Sequence, residues 1–171
     1  MRWAEFAALT VLMRGHEGNR PADNWQFDSD AETLSHLAQM GRLHAALKPY
    51  LKDAVAQNAR GGIPVMRPLF LHHEEDAAAW TVKDQYLLGR DLLVAPVVRE
   101  GAQERTVHLP RGEWIGLWTA EAVAVDAPEG RDLRVSAPLG RPPAFYRADS
   151  PWKETFRAAA RSALRSDGEH A

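Results

Sequence analysis

RGGIPVMRPLFL, Arg60 to Leu71, is where the chain changes its period. Before it, Leu34, Leu37, Leu43, Leu47, Tyr50, Leu51, Ala54 and Val55 recur largely three and four apart, with Glu32, Gln39, Lys48, Lys52 and Asp53 between them. That spacing predicts one long amphipathic helix. Ser29 with Glu32 three residues on predicts its capping box, and Pro49 predicts a kink near Leu47 or two abutting helices. Arg60-Gly61-Gly62 followed by Pro64 is a stop signal, because glycine takes the left-handed cap and proline cannot continue the helix.

Beyond Pro64 the pattern is extended. VMRPLFL, DLLVAPVV, TVHL, EWIGLW, AVAV, LRV and AFYR are short apolar or β-branched runs separated by Gly- and Pro-containing turns. They predict an all-β unit, with Pro68 and Pro96 at bulges or edges because proline donates nothing to a ladder. From Pro151 to Leu164 alanine-rich, charged sequence returns to a helical pattern before a polar tail through Ala171. No internal repeat or low-complexity tract interrupts this order.

Composition narrows the function classes. The chain has 171 residues, 45% hydrophobic and 26% charged, which suits a globular protein with a sizeable core. Twenty-one basic residues against 23 acidic give a net charge of −2, so nothing favours a nucleic acid or an anionic membrane as partner. The absence of cysteine removes disulfides, thiolate metal sites and a cysteine nucleophile. The opening run WAEFAALTVLM is short for a membrane span and carries Glu5 where a signal peptide would be apolar, so a cytoplasmic location is expected. Folded chains seldom open on core-like sequence, which makes a longer parent protein an expectation too.

That run ends in MRGHEGNRP, Met13 to Pro21. His16-Glu17 is not the zinc-protease motif, since Arg20 stands where the second histidine belongs and Gly18 and Pro21 oppose a helix. His72, His73, Glu74, Glu75 and Asp76 hold metal-ligand chemistry, but consecutive extended residues face opposite sides, so a solvated strand end with Asp76 capping the next turn is the simpler reading. No metal is assigned. Arg14 and His16, two apart on an extended segment, would present a guanidinium fork and an imidazole to one space. Such donors suit sugar hydroxyls or a carboxylate; a structural ion pair of Arg14 with Glu17, Asp23 or Asp28 is the alternative.

In order, RWAEFAALTVLMRGHEGNRP, GIPVMRPLFLH, DQYLLGRDLLVAPVV, VHLPRGEWIGLWT and APLGRPPAFYRADS resemble the C-terminal part of glycoside hydrolase family 31, the α-glucosidase and α-xylosidase family. The five blocks run from Arg2 to Ser150. HEGNRP with NWQFD, and the ending FYRADS, most resemble its bacterial sulfoquinovosidase group, which releases sulfoquinovose from α-glycosides.

The resemblance implies a fold that is α/β plus all-β: residues 1–62 as the C-terminal end of a (β/α)8 barrel with a last strand into Met13-Arg14, 63–150 as an antiparallel β-sandwich, and 151–171 as a short helix and tail. It implies a retaining α-glycosidase needing no cofactor and acting on an α-glycoside. Arg14 and His16 would be the substrate-binding residues at a strand end, His16 donating to a sugar hydroxyl and Arg14 ordering nearby carboxylates. Gly15 departs from the polar residue common there in relatives. The nucleophile and the acid/base would lie upstream, so no catalytic residue is expected here and this chain alone should be inert without the missing part of the barrel. A second class is a non-catalytic, carbohydrate-associated β-sandwich accessory protein, using exposed aromatics such as Trp114 and Trp118.

Overall fold

The structure, a computed structural model, describes residues 1–15 and 19–165. Helix α1 (Arg2–Ala8) leads through a short 3-10 turn at Pro21–Asp23 to α2 (Ala31–Gly61), and α3 (Lys153–Leu164) closes the order. Between α2 and α3 lie eight strands: β1 (Met66–Arg67), β2 (Tyr86–Leu88), β3 (Leu92–Val94), β4 (Glu104–Leu109), β5 (Gly112–Gly116), β6 (Ala122–Val125), β7 (Arg131–Ser136) and β8 (Ala144–Arg147). Six form one antiparallel sheet in the order β1-β2-β3-β8-β5-β6, and β4 pairs with β7 in a separate two-stranded ribbon.

The strand alternation explains the layering. Register sets Leu88 opposite Leu92, Leu92 opposite Tyr146 and Tyr146 opposite Ile115. All four side chains in this row meet the cluster built by Met40, Leu43 and Leu47 of α2 and Phe156 of α3. One residue along, Leu87, Leu93 and Phe145 pair in the same way but point to the opposite face. There they join Val107 and Leu109 of the ribbon and Trp114 in a second cluster. Both faces of the large sheet are therefore covered, which is why its strands are nearly continuous apolar runs.

Helix α2 is a single 31-residue element, so the expected division at Pro49 does not occur; Pro49 stands on the exposed side. Its N-cap is Asp30, whose carboxylate accepts from the Thr33 N–H at 2.6 Å. The capping box expected at Ser29 is displaced by one residue, because the Ser29 hydroxyl is taken by the Gln26 N–H at 2.8 Å. Gly62 ends the helix at φ 71°, the left-handed cap. The buried face runs His36, Met40, Leu43, Leu47, Tyr50, Leu51 and Ala54, while Leu34 and Val55, expected on it, are exposed.

Residues 1–62 contribute helices and loops, and the strand expected into Met13-Arg14 is absent among the described residues. A strand exists only against a hydrogen-bonded neighbour, and every described pairing lies between Met66 and Arg147. The long run VMRPLFL is also shorter than its pattern implied: after Pro68 it turns into a 3-10 helix over Leu69–Leu71. No described helix is long and apolar enough to cross a membrane.

Candidate functional site

The segment carrying Arg14 leaves the fold from a fixed base. Ala8 and Leu9, at the end of α1, are fully buried. The Tyr86 hydroxyl of β2 donates to the Leu9 carbonyl at 2.8 Å, and the His44 ring of α2 lies 3.0 Å from the Ala8 carbonyl. Burial pushes the Tyr86 phenol above its ordinary range, so it remains a donor at any physiological pH. The start of α1 is equally constrained. Glu5 is buried, pairs with Arg2 at 2.8 Å and accepts from the Gly140 N–H at 2.6 Å. Arg2 spends its remaining donors on the Ala102 carbonyl at 2.8 Å and the Ala137 carbonyl at 2.6 Å. The carboxylate that argued against a signal peptide thus pins α1 to the turn before β8.

From that base the chain runs outward through Thr10 to Gly15, and Arg14 is exposed. His16 and Glu17 lie outside the described residues. Beyond them, Arg20 and Asp23 form an exposed pair at 3.9 Å, and the Trp25 indole donates to the Thr33 hydroxyl at 3.2 Å, fastening the loop to the first turn of α2. Trp25 and Phe27 nevertheless present 72% and 57% of their surface. The arrangement can offer a guanidinium and aromatic faces to a ligand.

The accessory-protein reading loses its binding residues. Trp114 is 1% exposed, a core residue whose indole donates to the Pro110 carbonyl at 2.8 Å. Trp118 is half-buried and donates to the Pro142 carbonyl at 2.6 Å. Trp114 lies in a sheet covered on two faces, where strand aromatics fill cores, and Trp118 lies in the turn after β5.

The His72–Asp76 run is also organised differently from a ligand set. Its two ends are engaged by buried partners: Arg67 reaches His72 at 2.9 Å, and Asp76 caps the following 3-10 turn while contacting His108 of β4 at 2.7 Å. Among the described residues, no group of three His, Asp or Glu side chains could hold a metal ion. Sequence reading anticipated the Asp76 cap but missed its bond to His108, 32 residues away, for which no local pattern exists.

Comparison with known proteins then fixes the class. Residues 62–150 match the model of the glycosyl hydrolase family 31 C-terminal domain, and the chain belongs to glycoside hydrolase family 31. It is 57% identical over 156 residues to the sulfoquinovosidase of Escherichia coli (strain K12), covering 91% of this chain and 22% of that protein. Against the sulfoquinovosidase of Agrobacterium fabrum the identity is 50% over 157 residues, covering 91% and 23%. Among solved structures, a family 31 sulfoquinovosidase from E. rectale in complex with the aza-sugar inhibitor IFGSQ superposes with a TM-score of 0.88 at 44% identity, over 94% of this chain and 23% of that one. An α-xylosidase from a soil metagenome, complexed with xylose, gives 0.81 at 28% identity over 91% and 25%. The chain therefore spans less than a quarter of the length of the two sulfoquinovosidases it matches.

Proposed function

We propose that the protein containing this chain is a retaining α-glycosidase that hydrolyses α-glycosides of sulfoquinovose. Residues 1–62 complete the end of its (β/α)8 barrel, 63–150 form the β-sandwich behind it, and 151–171 are a closing helix and tail. The observation that carries the reading is the 57% identity to a sulfoquinovosidase sustained over 91% of the chain. Family 31 relatives with other names match less closely, an α-glucosidase of Bacillus thermoamyloliquefaciens at 30%.

Arg14 and His16 bind substrate in this reading. What supports the reading is the base from which this segment leaves: Ala8 and Leu9 are buried and doubly anchored, five residues before Arg14. His16 donates to a hydroxyl of the sugar being cleaved, and Arg14 orders the carboxylates around it. The nucleophile and the acid/base, roughly 5 Å apart in a retaining enzyme, come from the remainder of the protein. Glu17, Asp23 and Asp28 take neither role. Contacts to the sulfonate also come from outside this chain.

An assay of the whole protein on matched chromogenic α-sulfoquinovoside, α-glucoside and α-xyloside tests this. The sulfoquinovoside should be cleaved fastest and with retention at the anomeric carbon, while residues 1–171 alone show no turnover. His16→Ala should lower kcat/KM by about 2 kcal/mol or more, roughly 30-fold, as expected for loss of a directional donor. Preference for the glucoside overturns the substrate assignment, and an unaltered His16→Ala enzyme overturns the role of the imidazole.

A further inference from the structure

Two histidines outside the sugar-binding segment are held in opposite protonation states by geometry. His108 lies between two carboxylates: its Nε2 is 2.7 Å from Asp76 Oδ2 and its Nδ1 is 2.8 Å from Asp132 Oδ1. A carboxylate oxygen accepts, so both ring nitrogens must carry protons for both contacts to be hydrogen bonds, and only the imidazolium does so. The other oxygen of Asp76 accepts from the Ala78 and Ala79 N–H groups at 2.9 and 3.3 Å. The site is closed on one side and open on the other: His108 and Asp76 are buried, a Cβ on Gly130, at φ 71°, would meet the ring at 2.6 Å and Asp76 at 2.8 Å, and the Asp132 side chain is exposed.

His72 shows the reverse. Its Nε2 is 2.9 Å from Nη1 of buried Arg67, a group that only donates, so His72 must accept and be neutral with its proton on Nδ1. Arg67 is itself fixed, donating to the Pro64 carbonyl at 2.7 Å and to Gln57 of α2 at 3.2 Å. The two histidines grip the two ends of one segment, which runs from β1 around to the 3-10 turn at Ala77–Trp80.

We propose that residues 67–76 form a two-ended pH latch, closed on Arg67 only by a neutral His72 and on β4 and β7 only by a protonated His108. The surrounding charges agree with these states. Around His108, burial opposes protonation, but the hydrogen bonds and charges of Asp76 from the segment and Asp132 from β7 outweigh it and raise the pKa above 6.5. Around His72, burial and then Arg67, Arg90 and Arg147 lower the pKa, against Asp91 alone. His73 between them is pushed to about 4 by burial and by the neighbouring His72, so it stays neutral and adds to the acid side.

The signs of the two ends differ. A raised histidine pKa gives stability that is complete below 6.5 and lost as pH climbs through the folded value; a lowered one gives stability complete above 6.5 and lost as pH falls through its folded value. The latch is tightest near the shared reference of 6.5 and loosens on the alkaline side, where a neutral His108 has one N–H for the two carboxylates Asp76 and Asp132. Gln85 grips the His108 backbone from both sides, accepting from its N–H at 2.7 Å and donating to its carbonyl at 2.9 Å, so β4 stays in place while the side chain lets go.

Imidazole NMR titration of the intact chain, with amide hydrogen exchange at Ala78 and Ala79, reads both ends. His108 should titrate above 6.5 and His72 below it. Protection of the two amides should fall by about tenfold or more as pH rises through the His108 midpoint, after correction for intrinsic exchange. In His108→Gln that alkaline loss should vanish while the His72 titration is unmoved. A His108 midpoint at or below 6.5 in the unaltered protein, or Ala78 and Ala79 protection indifferent to pH between 6 and 9, overturns the latch whether or not the variant folds.

Discussion

Trp114 and Trp25 carry the same side chain to opposite ends of the exposure scale, 1% and 72%. Trp114 sits in a sheet covered on both faces, where each residue of a strand meets one core or the other. Trp25 sits in a loop between α1 and α2, near an anchored helix but with little packed on it. The sheet after Gly62 buries one face against the β4–β7 ribbon and the other against α2 and α3. The N-terminal segment is fastened instead through Arg2, Glu5 and the Leu9 carbonyl, while Trp3, Leu12, Trp25 and Phe27 are exposed. A segment that fastens its backbone to a fold and shows its aromatics is built to present a surface.

The largest effect should come from the interior side of this contrast. Trp114→Ala empties a fully enclosed indole site and strands the Pro110 carbonyl, which costs about 3–5 kcal/mol on the usual scale for such truncations. Chemical denaturation of the chain reads it directly. A loss under about 1 kcal/mol, the range of exposed positions, would mean that the two-core reading of the large sheet is wrong.

A smaller effect is expected where α2 meets the sheet. Gly89, between β2 and β3, has φ 63°, and a side chain there would run into the Tyr50 hydroxyl. That hydroxyl donates to the Leu88 carbonyl at 2.5 Å and accepts from the Asp91 N–H at 3.0 Å, closing the turn from the helix side. Gly89→Ala therefore strains the backbone and crowds a buried bond together, for about 2 kcal/mol. Tyr50→Phe costs about 1–2 kcal/mol by leaving two backbone groups unpaired. Because removing the hydroxyl also removes the obstacle, the double variant should lose less than the sum of the two; strict additivity would show that the close approach does not matter.

How far the sequence could be read follows from the same contrast. Strands β3 to β8 were legible as short apolar or β-branched runs, near-continuous in β3 of the doubly covered sheet and alternating in β4 and β7 of the ribbon, with Gly and Pro in the turns between them. β1 was over-read: VMRPLFL has the composition of a strand, yet Pro68 ends the ladder after two residues. β2 drew no separate assignment from its pattern, three residues being too short to show a period. Trp114 was expected to be exposed and is not, since an aromatic in a strand looks the same from sequence whether its face is covered or open, and Trp118, in the turn after β5, is half-buried. The proposed roles of Arg14 and His16 come only from family resemblance, because Arg14-Gly15-His16 has no periodicity, and Asp76, His108 and Asp132 were missed as a cluster because β4, β7 and the turn before Ala77 bring them together from distant parts of the sequence.

The smallest expected effect bears on the presenting side. Trp25→Ser with Phe27→Ser removes two rings that are mostly in water already, and the one hydrogen bond lost, from Trp25 to Thr33, is solvent-exposed. Exposed substitutions of this kind usually move stability by no more than about 0.5 kcal/mol, so the denaturation midpoint of the chain should barely shift. Self-association should fall, because contiguous exposed aromatics drive it, and sedimentation over a concentration series would register the change. If the double substitution instead cost as much as Gly89→Ala, the loop would be packed on its own helix rather than offered outward. The division between a covered sheet and a presenting N-terminal region would then have to be redrawn to leave Trp25 and Phe27 on the packed side.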